Sequence, residues 1–168
     1  MKIRQFTKTD IPHIAHIHRA SWILAYERLI PDEILGSLSE IHFQNLWKKN
    51  LNNESHRHLV AEHENQIIGF ISFSQFEVST NTSEISSLYV DPDSAGRGFG
   101  KALMKSAFNE LAALGFRKAL LWVVRENQRA IEFYKVVKFK QTNIERKIFR
   151  HGIELTQLQF CRSLVEST

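Results

Sequence analysis

The chain has 168 residues, of which 43% are hydrophobic and 24% charged, with seven glycines and three prolines. This composition excludes disordered and fibrous proteins and predicts a single globular domain over residues 1–168. One cysteine excludes a disulfide framework and a cysteine metal cluster, and a net charge of +4 is too small to indicate a nucleic-acid partner.

The compartment is predicted from the same sequence. No apolar run approaches the length of a membrane-spanning helix, and the first residues alternate like a strand rather than forming a targeting segment. Because the lone Cys161 also fits a reducing compartment, we expect a cytoplasmic protein without a membrane partner. The histidines lack cysteine or carboxylate partners at ligand spacing, so no metal site is expected. They include His13, His16, His18, His56 and His58.

The first half of the chain begins with a strand and continues with helices. Pro12 stands where proline favours the first turn of a helix, and apolar residues recur at helical spacing after it. Pro31 opens a second, short helical piece. From residue 57 the apolar period changes to two, which is typical of strands. The predicted elements are a strand at 2–6, helices at 11–26, near 31 and at 39–51, and a hairpin of strands 57–63 and 66–76.

The second half alternates strands with single helices. Gly115 stands where glycine ends a helix, and Asn127 stands where asparagine caps one. The predicted elements are strands at 84–90 and 120–124, helices at 99–114 and 127–137, and strands at 139–149 and 153–161 around a turn at His151. The resulting order predicts an α/β (α+β) fold, with a mixed, mostly antiparallel sheet of about seven strands flanked by about four helices.

A turn rich in glycine joins the strand at 84–90 to the following helix. It contains Gly96, Gly98 and Gly100, and glycines at alternate positions leave backbone N–H groups uncovered just before a helix begins. Such a turn can bind phosphate. A Walker loop is excluded because Ala95 and Ala102 replace residues it requires, and the third glycine of a dinucleotide fingerprint is missing. The glycines alone leave an ordinary strand-to-helix connection open.

Two motifs extend beyond the glycines. Residues 84–104 read Glu-Ile-x-x-Leu-Tyr-Val-x-Pro-x-x-x-Gly-Arg-Gly-Phe-Gly-Lys-Ala-Leu-Met, and residues 127–139 read Asn-x-x-Ala-x-x-Phe-Tyr-x-x-x-x-Phe. Both resemble motifs of the GNAT superfamily of N-acetyltransferases, and the predicted element order resembles that family over nearly the whole chain. The resemblance implies an acyl-CoA N-acyltransferase fold. It also implies direct transfer of acetyl from acetyl-CoA to a primary amine in a ternary complex.

The resemblance also assigns the coenzyme site. It implies that the pantetheine arm pairs with the backbone of residues 88–90 like an extra strand, and that the pyrophosphate meets the amides of residues 96–101. Asn127 is expected both to cap its helix and to hydrogen-bond the coenzyme's arm. The expected coenzyme-binding residues are Leu88, Tyr89, Val90, Ala95, Gly96, Arg97, Gly98, Phe99, Gly100, Lys101, Asn127, Ala130, Phe133 and Tyr134.

Two positions depart from the family's usual pattern. Family members usually carry Arg or Gln where this chain has Ala95, so a side-chain contact to phosphate is lost, and we expect Arg97 or Lys101 to offset it. Lys138 stands where glycine usually precedes the aromatic residue. The turn after the helix at 127–137 is therefore expected to be built differently.

The implied reaction requires proton transfer. An amine of lysine type has a pKa of about 10.4, so roughly one molecule in 10³ is neutral at pH 7. The resemblance gives Glu84 the role of general base, acting through water, and Tyr134 the role of acid for the departing thiolate. The alternatives are a solvated glutamate at a strand start and an aromatic core pair of Phe133 with Tyr134. A backbone N–H of residues 88–90 is expected to stabilise the oxyanion.

The acceptor is the least determined part of the prediction. Trp22, Tyr26 and Trp47 on the first helices, the turn near His151, and Glu84 are the expected acceptor contacts. A small amine, a peptide N-terminus and a protein lysine all remain open, as does a homodimer. The alternative function is a non-catalytic acyl-CoA-binding or regulatory protein of the same fold.

Overall fold

The computed structural model describes residues 1–75, 81–150 and 152–165. Within these ranges lie seven strands and five α-helices, the fold class that the sequence predicts. The short helix near Pro31 is the fifth. The strands are β1 (Lys2–Gln5), β2 (His56–His63), β3 (Gln66–Ser74), β4 (Thr82–Val90), β5 (Lys118–Val124), β6 (Lys140–Arg150) and β7 (Ile153–Ser163). The helices are α1 (Ile11–Tyr26), α2 (Asp32–Ser37), α3 (Glu40–Leu51), α4 (Phe99–Ala113) and α5 (Gln128–Val136).

One sheet contains all seven strands in the order β1-β2-β3-β4-β5-β7-β6. Its pairs are antiparallel except for β4 with β5, which are parallel. That parallel pairing runs only from Thr82 opposite Lys118 to Ile85 opposite Leu121. Beyond it the two strands separate, so the edge of β4 at residues 86–90 faces a gap in the middle of the sheet.

Helices cover both faces of the sheet. On one face, α4 packs Leu103, Met104 and Leu111 against the sheet, and all three side chains are fully buried. On the other face, α1 and α3 bury Ile14 and Trp47. Each such side chain stabilises the fold by about 1.5–3 kcal/mol through burial alone. The helices thus hold the two halves of the sheet on either side of the gap.

Helix ends follow the expected capping chemistry. The Asn127 side chain accepts a hydrogen bond from the Ala130 N–H at 3.1 Å, which confirms it as the cap of α5. Gly115 follows α4 with a φ of +89°. Lys138, which follows α5, has a φ of +65°, a left-handed conformation that glycine adopts at lower cost. The turn therefore keeps a shape suited to glycine, formed here by a lysine, and the expectation that it is built differently is wrong.

Parts of the predicted pattern lie outside the described ranges. The end of the strand expected at 66–76, part of the loop after it, and His151 belong to residues 76–80 and 151. In the described part of the chain, no helix is both long and apolar enough to cross a membrane. The same residues contain no group of three or more His, Cys, Asp or Glu side chains placed to hold a metal ion.

Candidate functional site

A cavity of about 1380 Å³ opens at the gap between β4 and β5. Its walls come from the C-terminal part of α1, the glycine turn, the start of α5 and the end of the β6–β7 hairpin. All of the coenzyme-binding residues expected from the sequence line it except Arg97. The structure therefore brings both sequence motifs to one concave surface.

The floor of the cavity is a half-paired strand. Residues 88–90 pair with β3 on one edge, where Leu88 lies opposite Ile71, while the other edge faces the gap. At its end, the Ser21 hydroxyl of α1 donates a hydrogen bond to the Val90 carbonyl oxygen at 3.2 Å. Free N–H and C=O groups along a strand edge can pair with an extended ligand.

The glycine turn supplies a second set of backbone donors. Gly96 and Gly98 have φ angles of +78° and +88°, in the left-handed region that favours glycine. Gly98 caps α4, so the first amides of this helix have no partner within it. These N–H groups and the positive end of the helix dipole favour an anion. All three glycines of the turn line the cavity.

Gly100 also sets the distance between α4 and α5. A Cβ atom at this position would lie 3.2 Å from two ring atoms of Phe133, tighter than an ordinary contact. Because Phe133 lines the cavity, the absence of a side chain at Gly100 lets this wall of the cavity lie close to α4.

Two basic residues near the turn differ in placement. The Arg97 guanidinium lies 3.3 Å from the His63 Nε2 atom and 5.3 Å from the centre of the Phe99 ring. It does not line the cavity, whereas Lys101 does. Of the two residues expected to offset Ala95, only Lys101 is therefore placed to do so.

All three tyrosines of the chain line the cavity: Tyr26 from α1, Tyr89 from β4 and Tyr134 from α5. Burial raises the pKa of each phenol above its usual value, and Tyr26 raises those of the other two further. At neutral pH the three hydroxyls therefore keep their protons. They can act as hydrogen-bond donors, and none is a phenolate base.

Tyr134 is held in an aromatic cluster. Its ring lies edge-on to Phe133 at 5.6 Å and to Phe139 at 6.0 Å between ring centres. Tyr134 thus forms the aromatic pair with Phe133 that was the alternative to a functional role, and it also lines the cavity. Packing on both sides restricts the ring and fixes the direction of its hydroxyl.

Glu84 lies beside the cavity and not in its lining. It is half-buried on the paired part of β4, and its neighbours Ile85 and Ser86 form part of the wall. Burial raises the pKa of its carboxyl above the ordinary value, while the charges of Arg146 and His56 lower it. A base at this place would reach the cavity through an intervening water.

Two of the three aromatic residues that were expected on the helices as acceptor contacts lie at the cavity. Trp22 and Tyr26 line the cavity with their ring centres 4.6 Å apart. Trp47 does not line the cavity, so the prediction that it contacts the acceptor is wrong. Its side chain lies in the core and is 1% exposed. Its indole N–H donates a hydrogen bond to His18, which lines the cavity.

Sequence reasoning missed several lining residues. They come from parts of the chain that only tertiary packing brings together, and they include His18, Ser21, Trp122, Ile148, Arg150 and Leu155. His18 gave a usable signal, since it continues the buried positions of α1 at helical spacing. The strand pattern of residues 140–150 gave no signal for Ile148 or Arg150, because it does not show which face of β6 lines the cavity.

Comparison with known proteins gives a consistent result. Residues 12–139 match the family model described as the acetyltransferase (GNAT) family. A Bacillus subtilis protein named uncharacterised N-acetyltransferase YuaI is 27% identical over 79% of this chain and 76% of its own. Spermidine N(1)-acetyltransferase of Thermoplasma acidophilum is 26% identical over 83% of this chain and 88% of its own.

A solved structure shares the fold. The PaiA N-acetyltransferase of Thermoplasma acidophilum, crystallised in complex with coenzyme A, superposes with a TM-score of 0.73 at 23% identity. The match covers 94% of this chain and 96% of that one.

Proposed function

This chain belongs to the acetyltransferase (GNAT) family, and we propose that it transfers the acetyl group of acetyl-CoA directly to a primary amine in a ternary complex. The observation that carries the proposal is one cavity that combines a free strand edge, a glycine turn at a helix start and a protonated tyrosine. An amine acceptor is also what the name of the spermidine-acetylating relative describes.

The residues present fit the coenzyme. The free edge at residues 88–90 suits its amide-rich arm, and the amides of residues 96–101 suit its pyrophosphate. Asn127 uses its side-chain oxygen for the cap of α5, so its amide N–H groups are what it offers to the arm. When bound, acetyl-CoA supplies an activated thioester that an amine can attack.

Glu84 is the proposed base for the amine. A primary amine must lose a proton to become a nucleophile, and the raised pKa of the Glu84 carboxyl makes it a better proton acceptor than an exposed glutamate. Because the side chain lies beside the cavity, the proton moves through water. The charges of Arg146 and His56 oppose this rise in pKa.

Tyr134 is the proposed acid. Its hydroxyl lines the cavity and is protonated at neutral pH, since burial raises further a pKa that is about 10 in an ordinary tyrosine. As the carbon–sulfur bond breaks, the Tyr134 hydroxyl passes this proton to the leaving thiolate. The resulting phenolate takes up the proton that the attacking nitrogen loses when the new amide bond forms. Backbone N–H groups of residues 88–90 can donate to the acetyl oxygen as negative charge develops on it.

The proposal is tested by measuring the release of coenzyme A thiol from acetyl-CoA across a panel of small amines, peptides and lysine-containing proteins. Calorimetry of coenzyme A binding accompanies the assay. We expect binding together with thiol release for at least one acceptor class. Binding without release for any acceptor would favour the non-catalytic alternative, and the lack of both would contradict the coenzyme assignment.

A further inference from the structure

A buried histidine meets the acceptor part of the cavity. His18 of α1 is 8% exposed, and it lines the cavity. Its ring centre lies 4.4 Å from that of Tyr89 and 4.6 Å from that of Phe43. Its position is therefore fixed by packing on two sides.

The hydrogen bond from Trp47 fixes which nitrogen of His18 carries the proton. The indole Nε1–H donates to the His18 Nδ1 atom at 3.0 Å, and an indole nitrogen has no acceptor role. The proton of the neutral ring is therefore on Nε2. Burial, with a smaller contribution from His42, lowers the pKa of His18 to about 3, so the ring stays neutral at physiological pH.

The Nε2–H group has no partner of its own. Among the described residues His18 makes no hydrogen bond other than the one from Trp47, and its Nε2 is not one of the fully buried, unpartnered polar atoms. Because the His18 ring lines this cavity, we take the cavity as the place where its N–H can donate. Because the neutral His18 ring offers an N–H donor at Nε2, it favours a ligand that presents an oxygen atom as hydrogen-bond acceptor.

Arg150 adds a positive charge to the same region. It lies at the end of β6 on the face that also presents Ile148 and Arg146, and within the described ranges it forms no ion pair. Arg146 is already engaged, since its Nε donates to the Gln157 side chain at 2.8 Å. Burial raises the pKa of the Tyr26 phenol, and the Arg150 charge opposes that rise.

The charged lining also includes acidic groups. Glu27 and Glu126 line the cavity, next to a second arginine, Arg28, and Glu126 acts on Tyr26 in the opposite sense to Arg150. Groups of both signs thus line the cavity and act on one phenol. A ligand that carries both an ammonium and a carboxylate matches this arrangement.

We propose that the acetyl acceptor is an amine that also carries a carboxylate, of the amino-acid class, and that the His18 Nε2–H and the Arg150 guanidinium are donors to its acidic end. The inference rests on the proposed acetyl transfer and narrows its acceptor. A polyamine would place cationic nitrogens against Arg150 and leave the His18 donor without an acceptor, which disfavours binding.

The test uses matched acceptors with acetyl-CoA. Each of the common amino acids is compared with its carboxamide and its decarboxylated amine, and spermidine is included. We expect at least one amino acid to have a KM about tenfold or more below those of its two analogues without a carboxylate, because a charge-assisted hydrogen bond is lost in them.

Variants then assign the preference. Arg150→Gln should raise the KM for the amino acid about tenfold to a hundredfold and leave that for the carboxamide unchanged, while Arg150→Lys should retain most of the preference. His18→Phe should act in the same direction. Since Arg150 is exposed, its variants are expected to fold even if His18→Phe does not.

The outcomes separate the two proposals. Equal use of acids and amides, a preference for spermidine, or equal effects of Arg150→Gln on both analogues would overturn the carboxylate inference and leave acetyl transfer standing. No thiol release with any acceptor would contradict acetyl transfer itself, and the carboxylate inference with it.

Discussion

Gly100 of α4 and Phe133 of α5 touch so closely that a Cβ atom on the glycine would lie 3.2 Å from the ring. The contact joins the two sequence motifs, since the first contains the glycine and the second the phenylalanine. Close approach of α4 and α5 thus depends on the absence of one methyl group.

We predict that Gly100→Ala weakens coenzyme A binding severalfold, because the Phe133 ring must move by a few tenths of an ångström and it forms part of the cavity wall. Overpacking of this kind costs about 1–3 kcal/mol, partly offset by the better helix propensity of alanine. Calorimetry and thermal unfolding measure the two effects. Gly36→Ala is the matched control, since a Cβ there meets nothing within 4 Å.

Tyr134→Phe should lower kcat about tenfold or more, because the hydroxyl that protonates the thiolate is removed. Coenzyme A affinity should change little, since the ring and its aromatic contacts remain. Because burial raises the Tyr134 pKa, the wild-type enzyme should show no loss of kcat from ionisation of this phenol up to about pH 10. An unchanged kcat in the variant would remove Tyr134 from the acid role.

Glu84→Gln should lower kcat/KM about a hundredfold at neutral pH. The base works when ionised, so activity in the wild type should fall as pH drops through the Glu84 pKa, which lies above that of an ordinary glutamate. The variant should lack this acidic limb. Glu33→Gln, on the exposed side of α2, is the control for loss of a carboxylate elsewhere. A pH profile that keeps its acidic limb in Glu84→Gln would assign the limb to another group.

Lys101→Gln should weaken coenzyme A binding more than Arg97→Gln does, because Lys101 lines the cavity while Arg97 is directed at His63. Ala95→Arg should tighten binding by restoring a charged contact to phosphate. Pantetheine, which lacks the pyrophosphate, provides the comparison in calorimetry. None of the three changes should alter its binding, and a loss of pantetheine affinity would indicate damage to the strand edge instead.

Much of the fold was predictable because its signals are local. The cap at Asn127, the helix end at Gly115 and the period of two from residue 57 each depend on neighbouring residues, and each is present in the structure. Such signals, together with the two motifs, predict the order of elements that the structure has. The short α2 was visible at Pro31 for the same reason.

The parts of the site that could not be predicted from the sequence depend on which side chains tertiary packing brings together. Trp47 looked like an acceptor contact because aromatic residues often line cavities, yet its spacing on α3 directs it into the core. Arg97 is adjacent to the phosphate turn in sequence, but its side chain leaves toward His63 on β2. Arg150 comes from a hairpin far along the chain. The hydrophobic periodicity of one segment does not show which side chains of distant segments it contacts.

The short pairing of β4 with β5 leaves an edge of the sheet at which a bound coenzyme would add hydrogen bonds. A coenzyme bound along the open edge of β4 would contribute its hydrogen bonds only in the folded state, so binding and unfolding are thermodynamically linked. At a coenzyme concentration about 100 times the Kd, this linkage adds about 2.7 kcal/mol to the free energy of unfolding. The supply of coenzyme in a cell would then influence how long the protein survives there, as well as how fast it works.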